Sequence, residues 1–85
     1  MSTLELTESP LYHRLRELTV DVLDLRDEQI VPDARFADDL GADSLDLVEL
    51  VEALEQEFDV RIDDTELADI GTVAEAHDLL AAKLA

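Results

Sequence analysis

The stretch that decides the fold is Ser44-Leu45-Asp46-Leu47-Val48-Glu49-Leu50-Val51-Glu52-Ala53-Leu54-Glu55-Gln56-Glu57-Phe58. At about 100° per residue, Leu47, Leu50, Val51, Leu54 and Phe58 fall within one arc of roughly 100°, the width of a core-facing helical stripe. The opposite face holds Leu45, Val48, Glu49, Glu52, Glu55 and Gln56. The spacing predicts a helix over 44–58 with one apolar side, which other helices must cover.

Working outward, the same period recurs. Downstream, Val60 and Ile62 alternate with polar residues over 59–63, but no partner strand is apparent in the sequence. A short helix is expected over about 64–69, with Leu67 and Ile70 turned inward. Thr72-Val73-Ala74-Glu75 matches a capping box, and a helix should follow to about 84 with Val73, Ala76, Leu80 and Leu84 on one stripe. Upstream, Ser9-Pro10 reads as an N-cap followed by proline at the first helical position. Leu11, Leu15, Leu18, Val22 and Leu25 then mark a helix over about 10–25.

Residues 26–43 hold no sustained period and are expected to form a long loop, with a short helical turn near Phe36 to Asp39. Loops longer than about 12–15 residues are uncommon in small domains and are usually functional or disordered. Ile30, Val31, Phe36 and Leu40 speak against disorder, because they could pin the loop onto the bundle. Residues 1–8 read as a flexible N-terminus. The expectation is a single all-α domain over 1–85, a four-helix bundle of three longer helices and one short one, with the long loop between helices one and two.

Length and charge bound the function. A chain of 85 residues makes one domain with a thin core, and with no cysteine it has neither disulfides nor thiolate metal ligands. No metal site is expected, since His13 and His77 read as surface or core-edge residues. A calcium loop fails as well: with Gly41 at the sixth position the first would be Phe36, which cannot ligate. No signal peptide is seen, and no apolar run approaches the roughly 20 residues that span a bilayer, so a cytoplasmic location is expected. Asp and Glu total 23 against 6 Lys and Arg, a formal net charge of -17. That disfavours nucleic acid and anionic membrane surfaces, and neither is expected as a partner, since phosphate is neutralised by Lys and Arg. It favours basic proteins, steered by charge.

Ser44 stands within Gly41-Ala42-Asp43-Ser44-Leu45. Capping is the plain reading, with either Ser44 or Asp43 as the cap and Asp46 as the N3 acid in the second case. A catalytic serine is poorly supported: the residue two after Ser44 is Asp46, where a nucleophile elbow needs glycine. Leu45 and Val48, ringed by carboxylates, read either as a small docking patch with a charged rim or as ordinary exposed apolar residues, with the long loop able to cover Leu45.

Asp38-Asp39-Leu40-Gly41-Ala42-Asp43-Ser44-Leu45-Asp46-Leu47-Val48-Glu49-Leu50-Val51 resembles the phosphopantetheine attachment segment of acyl carrier proteins. The likeness runs on through Leu54-Glu55, Phe58, Ile62 and Thr72-Val73, and covers about residues 10–82. It implies a four-helix bundle that carries acyl thioesters on 4′-phosphopantetheine, attached from coenzyme A to Ser44 and flanked by Asp43 and Leu45. It maps partner recognition onto Leu45, Asp46, Val48, Glu49 and Glu52, with Glu55 extending the acidic strip. The implied partners are a phosphopantetheinyl transferase, a ketosynthase, an acyltransferase and other acyl-processing enzymes with basic patches, met by a monomeric carrier that is not itself an enzyme. The pathway would be fatty-acid or polyketide synthesis. The alternatives are a carrier of an amino acid or other unusual acid, and an acidic interaction module whose Ser44 is only a cap. Glu52 where Met is frequent, Ile62-Asp63-Asp64 where Ile-Pro-Asp is frequent, and Leu67 where a small residue is frequent leave room for a specialised pathway.

The charge makes a prediction of its own. Like charges on a small bundle repel one another, and counterions relieve this. Added Mg²⁺ or moderate NaCl should raise the melting temperature in a thermal denaturation series; a flat response to both would show self-repulsion to be minor.

Overall fold

The computed structural model describes the backbone from Thr3 and the side chains from Glu5 to Ala85. Among the described residues the chain forms α1 (Thr3–Glu8), α2 (Pro10–Leu23), a 3₁₀ turn (Asp27–Gln29), α3 (Ser44–Phe58), α4 (Asp64–Ala68) and α5 (Val73–Leu84). It is all-α, with α2, α3 and α5 as the three longer helices; its one β-type pairing among those residues is an isolated antiparallel bridge between Arg35 and Thr72. α2 is the hub, packing against α1, α3, α5 and the 3₁₀ turn.

Each long helix starts where its cap dictates. Ser9 accepts the Tyr12 N–H in front of Pro10, and Thr72 and Glu75 close the expected capping box of α5. α2 and α3 each end on an aspartate in the left-handed region, Asp24 at φ 55° and Asp59 at φ 54°. α2 therefore stops at Leu23 rather than 25: the N–H groups of Asp24 and Leu25 both return to the Val20 carbonyl, satisfying an orphan acceptor of the last turn.

The N-terminal expectation needs correcting. Residues 3–8 form α1, whose Leu6 is buried against the core, and residues 1–2 lie outside the described residues. Six residues give too few repeats to define a face, and periodicity leaves this segment unassigned.

The core centres on Leu15, Leu50, Val51, Leu54, Val73, Ala76 and Leu80. On α2 the buried set is Tyr12, Leu15 and Thr19, so the buried arc is turned from the leucine stripe. Two of its members are polar, and each is satisfied: Tyr12 Oη donates to the Ile30 carbonyl at 3.1 Å and Thr19 Oγ1 to the Leu15 carbonyl at 2.7 Å. Burial pushes the Tyr12 phenol up from its usual value, against a smaller opposing pull from Arg16. Leu84, expected on the α5 stripe, is 47% exposed in the last turn, while His77 is buried.

The long loop is part of the core. Ile30, Ala34, Phe36, Leu40 and Ala42 are all buried, whereas Val31, expected to help pin the loop, is 47% exposed. At Phe36–Asp39 the chain makes a single turn that no helix continues: Asp39 N–H donates to the Arg35 carbonyl four residues back, and Leu40 N–H donates to the same carbonyl. The loop also finishes α5. Val73 N–H donates to the Ala34 carbonyl and Ala74 N–H to the Pro32 carbonyl, each at 3.0 Å. These are orphan donors of the first helical turn, which need partners from elsewhere in the chain.

Truncating a buried phenylalanine typically costs about 3–5 kcal/mol, a large part of the roughly 5–15 kcal/mol that holds a small domain together. Phe36→Ala should therefore lower the melting temperature sharply. An unchanged value would mean that the loop contributes nothing to the core.

Candidate functional site

Three devices set the start of α3. Gly41 turns the chain at φ +68°, a conformation that side chains rarely adopt. Ala42 is buried beside it and donates its N–H to the Phe36 carbonyl at 2.8 Å. Asp43 then caps the helix: its Oδ1 accepts the Asp46 N–H at 2.9 Å, and Asp46 Oδ2 accepts the Asp43 N–H at 3.1 Å. Of the two caps the sequence allowed, the chain uses Asp43, with Asp46 as the reciprocal acid.

Ser44 is thereby relieved of capping. It occupies the first position of α3, is exposed, and its hydroxyl enters no side-chain hydrogen bond among the described residues. The end of a fifteen-residue helix favours an anionic group, and the two nearest carboxylates, Asp43 and Asp46, are turned onto each other's N–H groups. An unengaged hydroxyl at a helix N-terminus fits a phosphodiester attached through its oxygen.

From Ser44 an outward strip follows. Leu45 is 66% and Val48 43% exposed, Glu49 and Glu52 are exposed, and Asp46 is half-buried in the capping box. Glu55 behaves differently from its neighbours: it is half-buried, and its Oε2 accepts the Ile62 N–H at 2.9 Å, clasping the link after α3. The helical wheel could not show this, because the donor is a backbone group seven residues away.

The far end of α3 is built of self-satisfied charges. Arg14 of α2 donates to Glu57 at 2.8 Å, and this bond holds the Glu57 carboxyl below its usual range. Lys83 pairs with Glu66 at 2.8 Å and lowers that carboxyl likewise. Glu55, Arg61, Ile62, Asp63, Glu66 and Lys83 line a polar groove of about 400 Å³. It lies some eleven residues along α3 from Ser44, roughly 16 Å at helical rise, and does not join the strip. No His, Cys, Asp or Glu among the described residues cluster in threes so as to hold a metal ion. No helix among them is long and apolar enough to cross a membrane.

Sequence reasoning missed the Pro32 and Ala34 carbonyls that finish α5 and so steady the loop leading to Ser44. No residue type signals them, since every residue has a carbonyl.

The chain matches the family described as phosphopantetheine attachment site over residues 13–80. It is 46% identical over 79 residues to an acyl carrier protein of Petrotoga mobilis, covering 93% of each chain. It is 44% identical over 78 residues to an acyl carrier protein of Chlorobium phaeovibrioides, covering 92% of this chain and 100% of the relative. An acyl carrier protein of Buchnera aphidicola is 49% identical over 70 residues, 82% of this chain and 88% of the relative.

The division of labour between Asp43 and Ser44 is measurable. Losing a cap costs typically about 1 kcal/mol, and a surface substitution stays within roughly ±0.5 kcal/mol. Asp43→Ala should lower thermal stability, and Ser44→Ala should leave it nearly unchanged. The reverse order in urea denaturation would make Ser44 the cap.

Proposed function

Because the chain belongs to the acyl carrier protein family, we propose that Ser44 is the residue on which it bears its prosthetic group and that the outer face of α3 is where its partners dock. The protein is a carrier and not an enzyme, and the family's covalent group is 4′-phosphopantetheine. When attached, that group supplies a terminal thiol that forms thioesters, which is why the chain needs no cysteine of its own. What supports Ser44 is its exposed and unengaged hydroxyl at the first position of α3, held in place by the Asp43–Asp46 box. A transferase can reach that oxygen without opening any hydrogen bond.

The docking face comprises Leu45 and Val48 as its apolar centre and Asp46, Glu49 and Glu52 as its rim. Glu55 ends the strip with the carboxylate oxygen that the Ile62 N–H does not take. A shuttling carrier must meet many enzymes briefly, and rim charges raise association rates without a large permanent interface. The partners are basic-patched: a phosphopantetheinyl transferase, then ketosynthase and acyltransferase, met by a monomer in the cytoplasm. Fatty-acid or polyketide synthesis is the pathway class, and the departures at Glu52, Asp63 and Leu67 leave room for a specialised one.

Incubation with coenzyme A and a broad-specificity transferase should add one phosphopantetheine to the intact mass. Ser44→Ala should abolish the gain with helicity intact, and a gain that persists in that variant refutes the assignment. On the docking face, Glu49→Lys should mainly slow association with a basic partner, strongly so at low salt. Val48→Asp should mainly speed dissociation, with little dependence on salt, because it sets an unpaired charge in the apolar centre. If Val48→Asp binds and is modified like the wild type in stopped-flow measurements, the apolar patch plays no part.

A further inference from the structure

We propose that Ser9 is a second acyl acceptor on this chain, an activated serine that takes an acyl group from a thioester. Ser9 lies between α1 and α2, half-buried. Its Oγ accepts the Tyr12 N–H at 3.4 Å and also lies 3.4 Å from Nε2 of His77 on α5. His77 is 2% exposed, and its Nδ1 faces Asp78 Oδ1 at 3.2 Å. A carboxylate oxygen only accepts, so Nδ1–H donates to Asp78. In the neutral ring Nε2 then carries a lone pair to which the Ser9 hydroxyl can donate.

The order is therefore hydroxyl, imidazole Nε2, imidazole Nδ1, carboxylate. In that arrangement the imidazole takes the hydroxyl proton and the carboxylate fixes the tautomer and orients the ring. The separations are loose, as they often are in resting sites. The tilted Tyr12 ring lies 6.5 Å from that of His77. The N-terminus of α2 lies at the same point, and its partial positive charge favours an oxyanion formed there.

The step balances without a further reagent. Ser9 Oγ attacks the thioester carbonyl carbon and its proton passes to His77 Nε2. The carbon–sulfur bond breaks, and His77 returns the proton to the departing thiolate. The products are an ester on Ser9 and a free thiol.

The acyl donor comes from outside the molecule. The Arg14–Glu57 bond ties the start of α2 to the end of α3, so Ser9 and Ser44 lie at opposite ends of the bundle, separated by the fifteen residues of α3, about 22 Å. A free thioester such as an acyl-coenzyme A, or the arm of a second copy, would supply the group. The inference does not depend on the role of Ser44.

The test uses full-length Ser44→Ala protein with two donors separately: acetyl-coenzyme A, and a Ser9→Ala copy loaded with acetyl on its arm. One acetyl should appear by intact mass and map to Ser9 by peptide fragmentation, and the donor that works identifies the source. The coenzyme A arm stands even if loading at Ser44 fails. His77→Gln should slow the gain by about 10²-fold or more, the usual weight of a general base. Asp78 is exposed and acts only as a positioning residue; Asp78→Asn should slow the reaction, and Asp78→Glu should restore it. No acetyl at Ser9 from either donor would overturn the proposal, as would an unchanged rate in folded His77→Gln. Should His77→Gln lose its helicity, the Asp78 pair decides: equal rates in wild type and Asp78→Asn overturn it, and loss with rescue by glutamate supports it.

Discussion

Everything in this fold depends on burying the loop between α2 and α3. Three amphipathic helices of 12 to 15 residues cannot enclose a sufficient core alone. The loop supplies Ile30, Ala34, Phe36, Leu40 and Ala42, five of the fifteen buried apolar residues described. Burying a loop exposes its polar backbone to loss of water, and each such group then needs a partner. The partners are found economically: Tyr12 Oη takes the Ile30 carbonyl, and the first N–H groups of α5 take Pro32 and Ala34. One set of bonds therefore satisfies the loop and starts a helix.

The same packing explains the geometry around Ser44. Phe36 and Leu40 fix the loop, Ala42 is drawn inward, and Gly41 makes the turn that brings Asp43 to the cap position. The cap and the proposed attachment residue are then adjacent. Because Asp43 is the cap, esterifying Ser44 would leave the hydrogen bonds at the start of α3 intact. With Asp43 and Asp46 closed on each other, the hydroxyl can change its chemistry at little structural expense.

Much of this was legible in the sequence. The span of α3 and its inward arc follow from five apolar positions, and the start of α5 from a four-residue capping box. Ser44 stood out through its segment rather than through its residue type. What stayed hidden depended on contacts between distant parts of the chain. The choice between Ser44 and Asp43 as cap turned on the loop that delivers them. Glu55 looked solvated on a helical wheel because the Ile62 N–H it meets lies beyond the helix. Thr19 and His77 are buried although polar, since each finds a hydrogen-bond partner that no periodicity displays. Val31 is exposed although apolar, since the neighbouring Ile30 takes the inward position.

The short bridge between Arg35 and Thr72 has a kinetic meaning. It joins residues 37 positions apart, and the neighbouring bonds from Phe36 N–H to the Gly71 carbonyl and from Val73 and Ala74 N–H to the Ala34 and Pro32 carbonyls are comparably distant in sequence. Contacts of long sequence separation form only after the intervening chain has been closed at an entropic cost, so they lag behind helices that need only local contacts. α2, α3 and α5 can therefore each form locally first, while the loop remains unsealed until α5 docks and trades its free N–H groups for the loop's carbonyls. On the return path the seal is also the natural place to open, below the free energy of global unfolding. Amide hydrogens at Phe36, Val73 and Ala74 thus form one cooperative unit, and the residues leading into Ser44 share its fate.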